Sequence, residues 1–275
     1  MEQPEANENG GRGVQAIETG GRLLVAMVAA GGPAMLRDLA RAAEMTPAQA
    51  HAYFRSFRTI GLVEQDAATG RYGLGPLALQ LGMARLRHFD PLRMASQAAA
   101  ALSAETGLMV AILVWGTFGP TVVQVLEGVD QLHVNVRAGN VFTLSGTASG
   151  TIFAAFLRGK AARELLKVEL SDASRTQRIG LPISAAEMTA NIDRARACGY
   201  ATVNERPVPG VNAISAPVFD STGQMQLALT LIGASPSLPV DDGSPFIAPL
   251  LNTTQQLSSQ LGWSAPPTAA DRSEP

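Results

Sequence analysis

Few side chains in this sequence can do covalent or acid–base chemistry. Histidine occurs at 51, 88 and 133, and the one cysteine is Cys198. Neither a Ser-His-Asp or Cys-His constellation nor a zinc ligand set emerges from those positions, because both need these residues clustered. Ser145-Gly146-Thr147-Ala148-Ser149-Gly150 has the glycine density of a phosphate cradle but lacks the lysine of a P-loop. It reads instead as a tight turn into a helix that lines a pocket. Cys198, just before Gly199, reads as a small packing residue at a helix end. The expectation is therefore no enzyme, no cofactor and no metal.

What the residues do suit is recognition. Gln49, His51, Arg55 and Arg58 share one face of a predicted helix, with Ala48 and Ala52, while Ala50, Tyr53, Phe54 and Phe57 form its inward stripe. Glutamine can read adenine and arginine can hold phosphate. Arg71 follows on a short hairpin.

The elements that must position these groups are legible. Helices are expected over 17–30 and 36–43, with Gly31-Gly32-Pro33 between them. Gly20 and Gly21 inside the first should each cost about 1 kcal/mol relative to alanine. Thr46 is an N-cap, Pro47 the first helical residue and Gln49 the third, so a capping box opens the helix that runs to 59, and Gly61 stops it. Segments 62–65 and 71–74 form a hairpin of the size of a wing. Two helices, a short turn and a hairpin make a helix-turn-helix with a wing. A trihelical packing module is the alternative that the pattern leaves open.

Beyond 75 the periodicity predicts a linker helix at 76–87 with Leu77, Leu81 and Ala84 on one apolar face, a break at 88–90, and an alanine-rich helix at 91–106. Residues 108–137 alternate and are β-branched, which predicts a three-strand meander over 108–116, 120–128 and from 132. Helices follow at 148–157, 161–168 and 185–197, strands at 200–204, 212–219 and 225–233, and a last helix at 245–261. Strands, helices and strands joined by hairpins imply an α+β domain with an antiparallel sheet covered by helices.

At 275 residues, 46 % hydrophobic and 16 % charged, the chain suits two globular domains. We divide it into a flexible arm at 1–13, a winged helix-turn-helix at 14–75, a linker at 76–90, a sensing domain at 91–262 and a flexible tail at 263–275. Residues 14–75 hold six arginines against five acids, a net charge of +1, so one copy would bind DNA weakly and a homodimer is expected. Absence of a long apolar run or a signal-like start predicts a cytoplasmic protein with no membrane partner.

The order and spacing of several strings resemble the IclR (isocitrate lyase regulator) family over roughly 14–262. They are LRDLARAAEMTPAQAHAYFRSFRTIGLVEQ, RYGLGPLALQLG, LSGTASGTIFAAFL, ACGYATVNE, PGVNAISAPVFDSTGQ and LALTLIGAS. The resemblance implies a winged helix-turn-helix, a linker helix, a GAF-like effector domain, dimers or tetramers, a palindromic double-stranded DNA operator and a small organic acid or aromatic effector. It also implies an unusual recognition helix. Ala48 and Gln49 stand where the family commonly has Ser-Thr, and Ala52 where it has arginine. Those alanines keep a second reading open, a sensor whose helix-turn-helix only dimerises.

In glyoxylate- or pyruvate-binding members, polar groups surround a small carboxylate. The corresponding positions here are Ala148, Ser149, Val203, Ala213, Thr230 and Ile232, with Gly150 beside them and Trp115 and 132–144 as further walls. An acid, a cysteine and a serine are thus replaced by Val203, Ala213 and Ile232. Burying a small carboxylate there without partners would cost several kcal/mol. The resemblance, so modified, implies an apolar or aromatic carboxylate, with its anion on the amides near Ser149 and on Thr230.

Overall fold

The computed structural model describes residues 14–87, 90–129, 134–171, 178–181 and 183–264. The arm at 1–13, His88, His133 and the tail from 265 lie outside them. The chain divides into two compact units, one ending at Phe89 and the other beginning at Asp90.

The first unit runs α1 (Gln15–Ala29), α2 (Leu36–Ala42), α3 (Pro47–Thr59), β1 (Val63–Gln65), β2 (Tyr72–Leu74) and α4 (Pro76–Arg87). Its core is Leu23, Met27, Leu39, Ala40, Ala50, Phe54, Val63 and Tyr72. Phe54 stacks on Tyr72 at 4.5 Å, which seats α3 against the hairpin. The two glycines of α1 are not equivalent. A Cβ on Gly20 would lie 2.9 Å from Phe57 Cζ, whereas one on Gly21 meets nothing within 4 Å. Gly20 therefore lets α1 approach the aromatic stripe of α3. The spaced apolar residues of α1 do not all turn inward, since Val28 is 66 % exposed. On α4, Leu79, Leu81 and Met83 are all exposed.

The second unit holds α5 (Pro91–Thr106), β3 (Met109–Gly116), β4 (Gly119–Leu126), α6 (Ala148–Phe156), α7 (Lys160–Ser171), α8 (Ala185–Cys198), β5 (Ala201–Val203), β6 (Val211–Phe219), β7 (Met225–Ala234) and α9 (Ile247–Gln260). The strands form one antiparallel sheet in the order β4-β3-β7-β6-β5. Strand side chains alternate faces. Met109, Ala111 and Leu113 pack in the cluster that contains Ile152 and Phe153 of α6. Val110 and Ile112, wholly buried, face the side where α5 packs on β3. Both faces of the sheet are thus covered, an α+β arrangement.

One expected strand does not form among the described residues. Residues 134–137 form no strand, because Val136 N–H turns back onto the Val134 carbonyl at 2.9 Å. The described chain meets β4 further on, where Gly139 N–H donates to Val122 O and Phe142 N–H to Pro120 O. Val134 and Val136 instead line a cavity. No helix among the described residues is long and apolar enough to cross a membrane.

Candidate functional site

Two surfaces concentrate the recognition chemistry, one in each unit. On the first, the α3 cap forms as a full capping box. Gln49 N–H donates to Thr46 Oγ1 at 3.3 Å and Thr46 N–H to Gln49 Oε1 at 3.1 Å. Gln49 Oε1 is thereby engaged, so a two-point contact with adenine requires the box to open, while Nε2 is available as it stands. His51, Arg55 and Arg58 are exposed on the same helix and Arg71 on the hairpin.

Ion pairing separates the arginines of this unit. Arg22 lies 4.0 Å from Glu44, and Arg37 and Arg41 lie 3.7 and 3.8 Å from Asp38. Arg58 instead donates to Gln65 Oε1 at 3.0 Å, and Gln65 Nε2 to the Gly70 carbonyl at 3.1 Å. Arg71 donates to the Pro33 carbonyl at 3.3 Å. The guanidiniums of α3 and the hairpin thus keep charge that no acid among the described residues neutralises. Gln65, which ties α3 to the hairpin turn, was not foreseen, because its role depends on how the hairpin folds back. Asp66 closes that turn by accepting from the Thr69 and Ala68 amides, and hydrogen bonding from Thr69, then Ala68, holds its carboxyl below the usual range.

In the second unit a small cavity of about 50 Å³ lies between the start of α6 and β5, β6 and β7. Ala148, Ser149, Val203, Ala213, Thr230 and Ile232 line it. The register explains why three of these meet: Val203 pairs with Ala213 and Ala213 with Ile232, which makes a row across three strands. Trp115 and Gly150 are not among the lining residues. Trp115 packs on Phe153 at 6.0 Å between ring centres. Gly150 backs against the Thr143 carbonyl, where a Cβ would overlap it, and gives its N–H to Thr147 Oγ1 at 2.9 Å.

The polar content of the cavity is sparse and specific. Ser149 Oγ is buried without a hydrogen-bond partner. It sits in the first turn of α6, where amides lack helical acceptors and the dipole favours an anion. Thr230 Oγ1 lies 2.9 Å from Ser215 Oγ, its cross-strand partner. Ser215 Oγ donates to the Leu229 carbonyl at 3.3 Å, so Thr230 gives its own proton to Ser215 and turns lone pairs, not a donor, toward the cavity. Arg206 also lines the cavity. Neither Ser215 nor Arg206 was foreseen.

The turn before α6 is held by Glu169, which is 2 % exposed. Its Oε2 accepts from Leu144 N–H at 2.8 Å and Ser145 N–H at 3.1 Å, and its Oε1 from Arg178 at 2.9 Å. Burial pushes its pKa up, against the Ser145 amide and Arg178. Cys198 is half-buried and donates to the Tyr200 carbonyl at 3.2 Å, and Trp263 stacks on Phe219. Among the described residues no three His, Cys, Asp or Glu are grouped to hold a metal.

A helix-turn-helix with unneutralised arginines, carried by a chain whose second unit encloses a polar-tipped cavity, defines a transcription regulator with its own effector-binding domain. The chain belongs to the IclR family of bacterial transcriptional regulators. The family's helix-turn-helix domain matches residues 16–67 and its C-terminal domain residues 83–259. HTH-type transcriptional repressor AllR of Klebsiella pneumoniae is 24 % identical over 255 residues, 91 % of each chain. HTH-type transcriptional regulator KdgR of Dickeya chrysanthemi is 22 % identical over 228 residues, 83 % of this chain and 74 % of its own. The crystal structure of Pseudomonas aeruginosa HmgR is 32 % identical, with a TM-score of 0.76 over 92 % of this chain and all of that one.

Proposed function

We propose that this regulator binds a palindromic operator as a homodimer or higher homo-oligomer, in the cytoplasm, and controls a catabolic operon in response to an apolar or aromatic carboxylate. The observation that carries the ligand class is the unpartnered, buried Ser149 hydroxyl at the open amides of α6, inside a cavity otherwise floored by Val203, Ala213 and Ile232. An orphaned buried hydroxyl costs about 1–3 kcal/mol, a cost that a ligand oxygen removes. A small keto acid would set its carbonyl as well as its carboxylate against the apolar floor, with little apolar surface to offset the cost.

Size adds a mechanism. The cavity holds about 50 Å³, and a dry cavity that admits benzene measures roughly 150 Å³. A ring therefore enters only if the walls part, and that displacement is a means by which occupancy changes the domain's state. The second reading, a helix-turn-helix that only dimerises, rests on Ala48 and Ala52, exposed where a contact residue would be useful.

Calorimetry of the full chain against benzoate, phenylacetate, glyoxylate and pyruvate is expected to show binding of the aromatic acids. Binding of glyoxylate or pyruvate with no aromatic bound would contradict the ligand class. Ala213→Val should fill the cavity without parting its walls and abolish that binding while DNA affinity stays unchanged.

A further inference from the structure

We infer that Arg206 is the counter-ion of the effector's carboxylate, and that binding takes it from Glu187. The inference rests on the reading that the cavity receives a carboxylate. Among the described residues Arg206 is the one cationic side chain that lines the cavity, and no acid lines it. Its guanidinium lies 3.8 Å from Glu187, and both side chains are about half exposed, at 48 % and 50 %. Such a pair is held weakly and is easily exchanged. A carboxylate in the cavity offers a less hydrated partner and two oxygens matched to the guanidinium fork.

The backbone that carries Arg206 is anchored on both sides. Glu205 N–H donates to Asn212 Oδ1 at 2.8 Å, and the buried Asn212 passes its Nδ2 to the Leu238 carbonyl at 2.8 Å. Ser235 N–H holds the Gly210 carbonyl at 2.8 Å. The side chain is thus presented from a fixed segment between β5 and β6, beside Pro207 and Val208, which line the same cavity. Exchange can occur by a side-chain swing, without unfolding the loop.

Glu187 loses little when Arg206 leaves. It is the third residue of α8, and its N–H is capped by Ser184 Oγ at 3.1 Å. A carboxylate in the first helical turn is stabilised by the helix dipole alone. Glu187 is therefore a competitor for Arg206 that the ligand must displace, and its removal should help the ligand.

The test is calorimetry on the full chain with benzoate, phenylacetate, pyruvate and neutral benzamide as probes. For whichever carboxylate binds the wild type, Arg206→Gln should weaken binding about tenfold or more, with no loss for benzamide. Glu187→Gln should tighten the carboxylate about two- to fivefold, because the competing charge is gone. Both side chains are half exposed, so thermal melting should be unchanged and serves as the folding control. Carboxylate affinity unaltered by Arg206→Gln, or weakened by Glu187→Gln, would overturn the inference even where aromatic acids bind. Binding of pyruvate alone would remove the aromatic reading but leave the role of Arg206 to be decided by the same two variants. A wild type that binds none of the carboxylates overturns both.

Discussion

Gly146→Ala is expected to destabilise the second unit by about 3–5 kcal/mol and to lower its melting temperature by about 6–20 °C. Gly146 has φ +76°, a conformation that alanine adopts only under strain. A Cβ there would overlap the Leu181 carbonyl oxygen and lie 2.8 Å from its carbon. Both are backbone atoms, and the turn cannot withdraw from them. Glu169 grips the amides on its N-terminal side, and Thr143 N–H is bound to the Ile179 carbonyl at 3.0 Å. Two controls separate strain from overlap. Gly139 has φ +92° but open space around it, so Gly139→Ala should cost about 1–2 kcal/mol. Gly21, in mid-helix with nothing near, should accept alanine with a gain of about 0.5–1 kcal/mol. Differential scanning calorimetry decides the matter, and a Gly146→Ala melt within a degree of the wild type would contradict the account.

The double substitution Arg55→Ala with Arg58→Ala is expected to weaken DNA binding about 100-fold at physiological salt. Arg55 is exposed without an acid partner, and Arg58 is tied to the hairpin through Gln65, so both belong to the surface formed by α3 and the wing. If each holds one phosphate, the log–log salt slope should fall by about 1.8 per protomer. Neither side chain is buried, so melting should change little. Fluorescence anisotropy across salt concentrations measures both quantities. Unchanged affinity together with an unchanged slope would place the DNA surface elsewhere.

The parts of this protein that were legible in the sequence are those whose information is local. Thr46, Pro47 and Gln49 specify a helix start within four residues, and the capping box formed as expected. The Ser-Gly-Thr-Ala-Ser-Gly run announced a turn into a helix beside a pocket, and Ser149 stands there unpartnered. Local pattern failed where tertiary contacts decide. Val134 and Val136 alternate whether they join a ladder or line a cavity, so the third strand of the meander was a natural misreading. Gly20 and Gly21 look alike in a helix until Phe57 is placed against one of them. The Ser215–Thr230 pair exists only once β6 and β7 have a register. Arg206, in a Pro- and Gly-rich loop, carries every local sign of a solvated charge, and only the fold brings it to the cavity. Trp115 had the size of a pocket wall, but its ring is taken up by Phe153.

The central claim is that one chain joins operator recognition to an aromatic-acid sensor. The most direct measurement selects duplexes from a random-sequence DNA library with the full-length protein, then titrates the selected duplex by anisotropy with and without benzoate or phenylacetate. The account predicts enrichment of an inverted repeat, because a two-fold symmetric dimer presents two copies of α3 to two half-sites. It further predicts that an aromatic acid shifts the affinity for that duplex. No enriched sequence, or an enriched duplex whose affinity none of these acids changes, would contradict it.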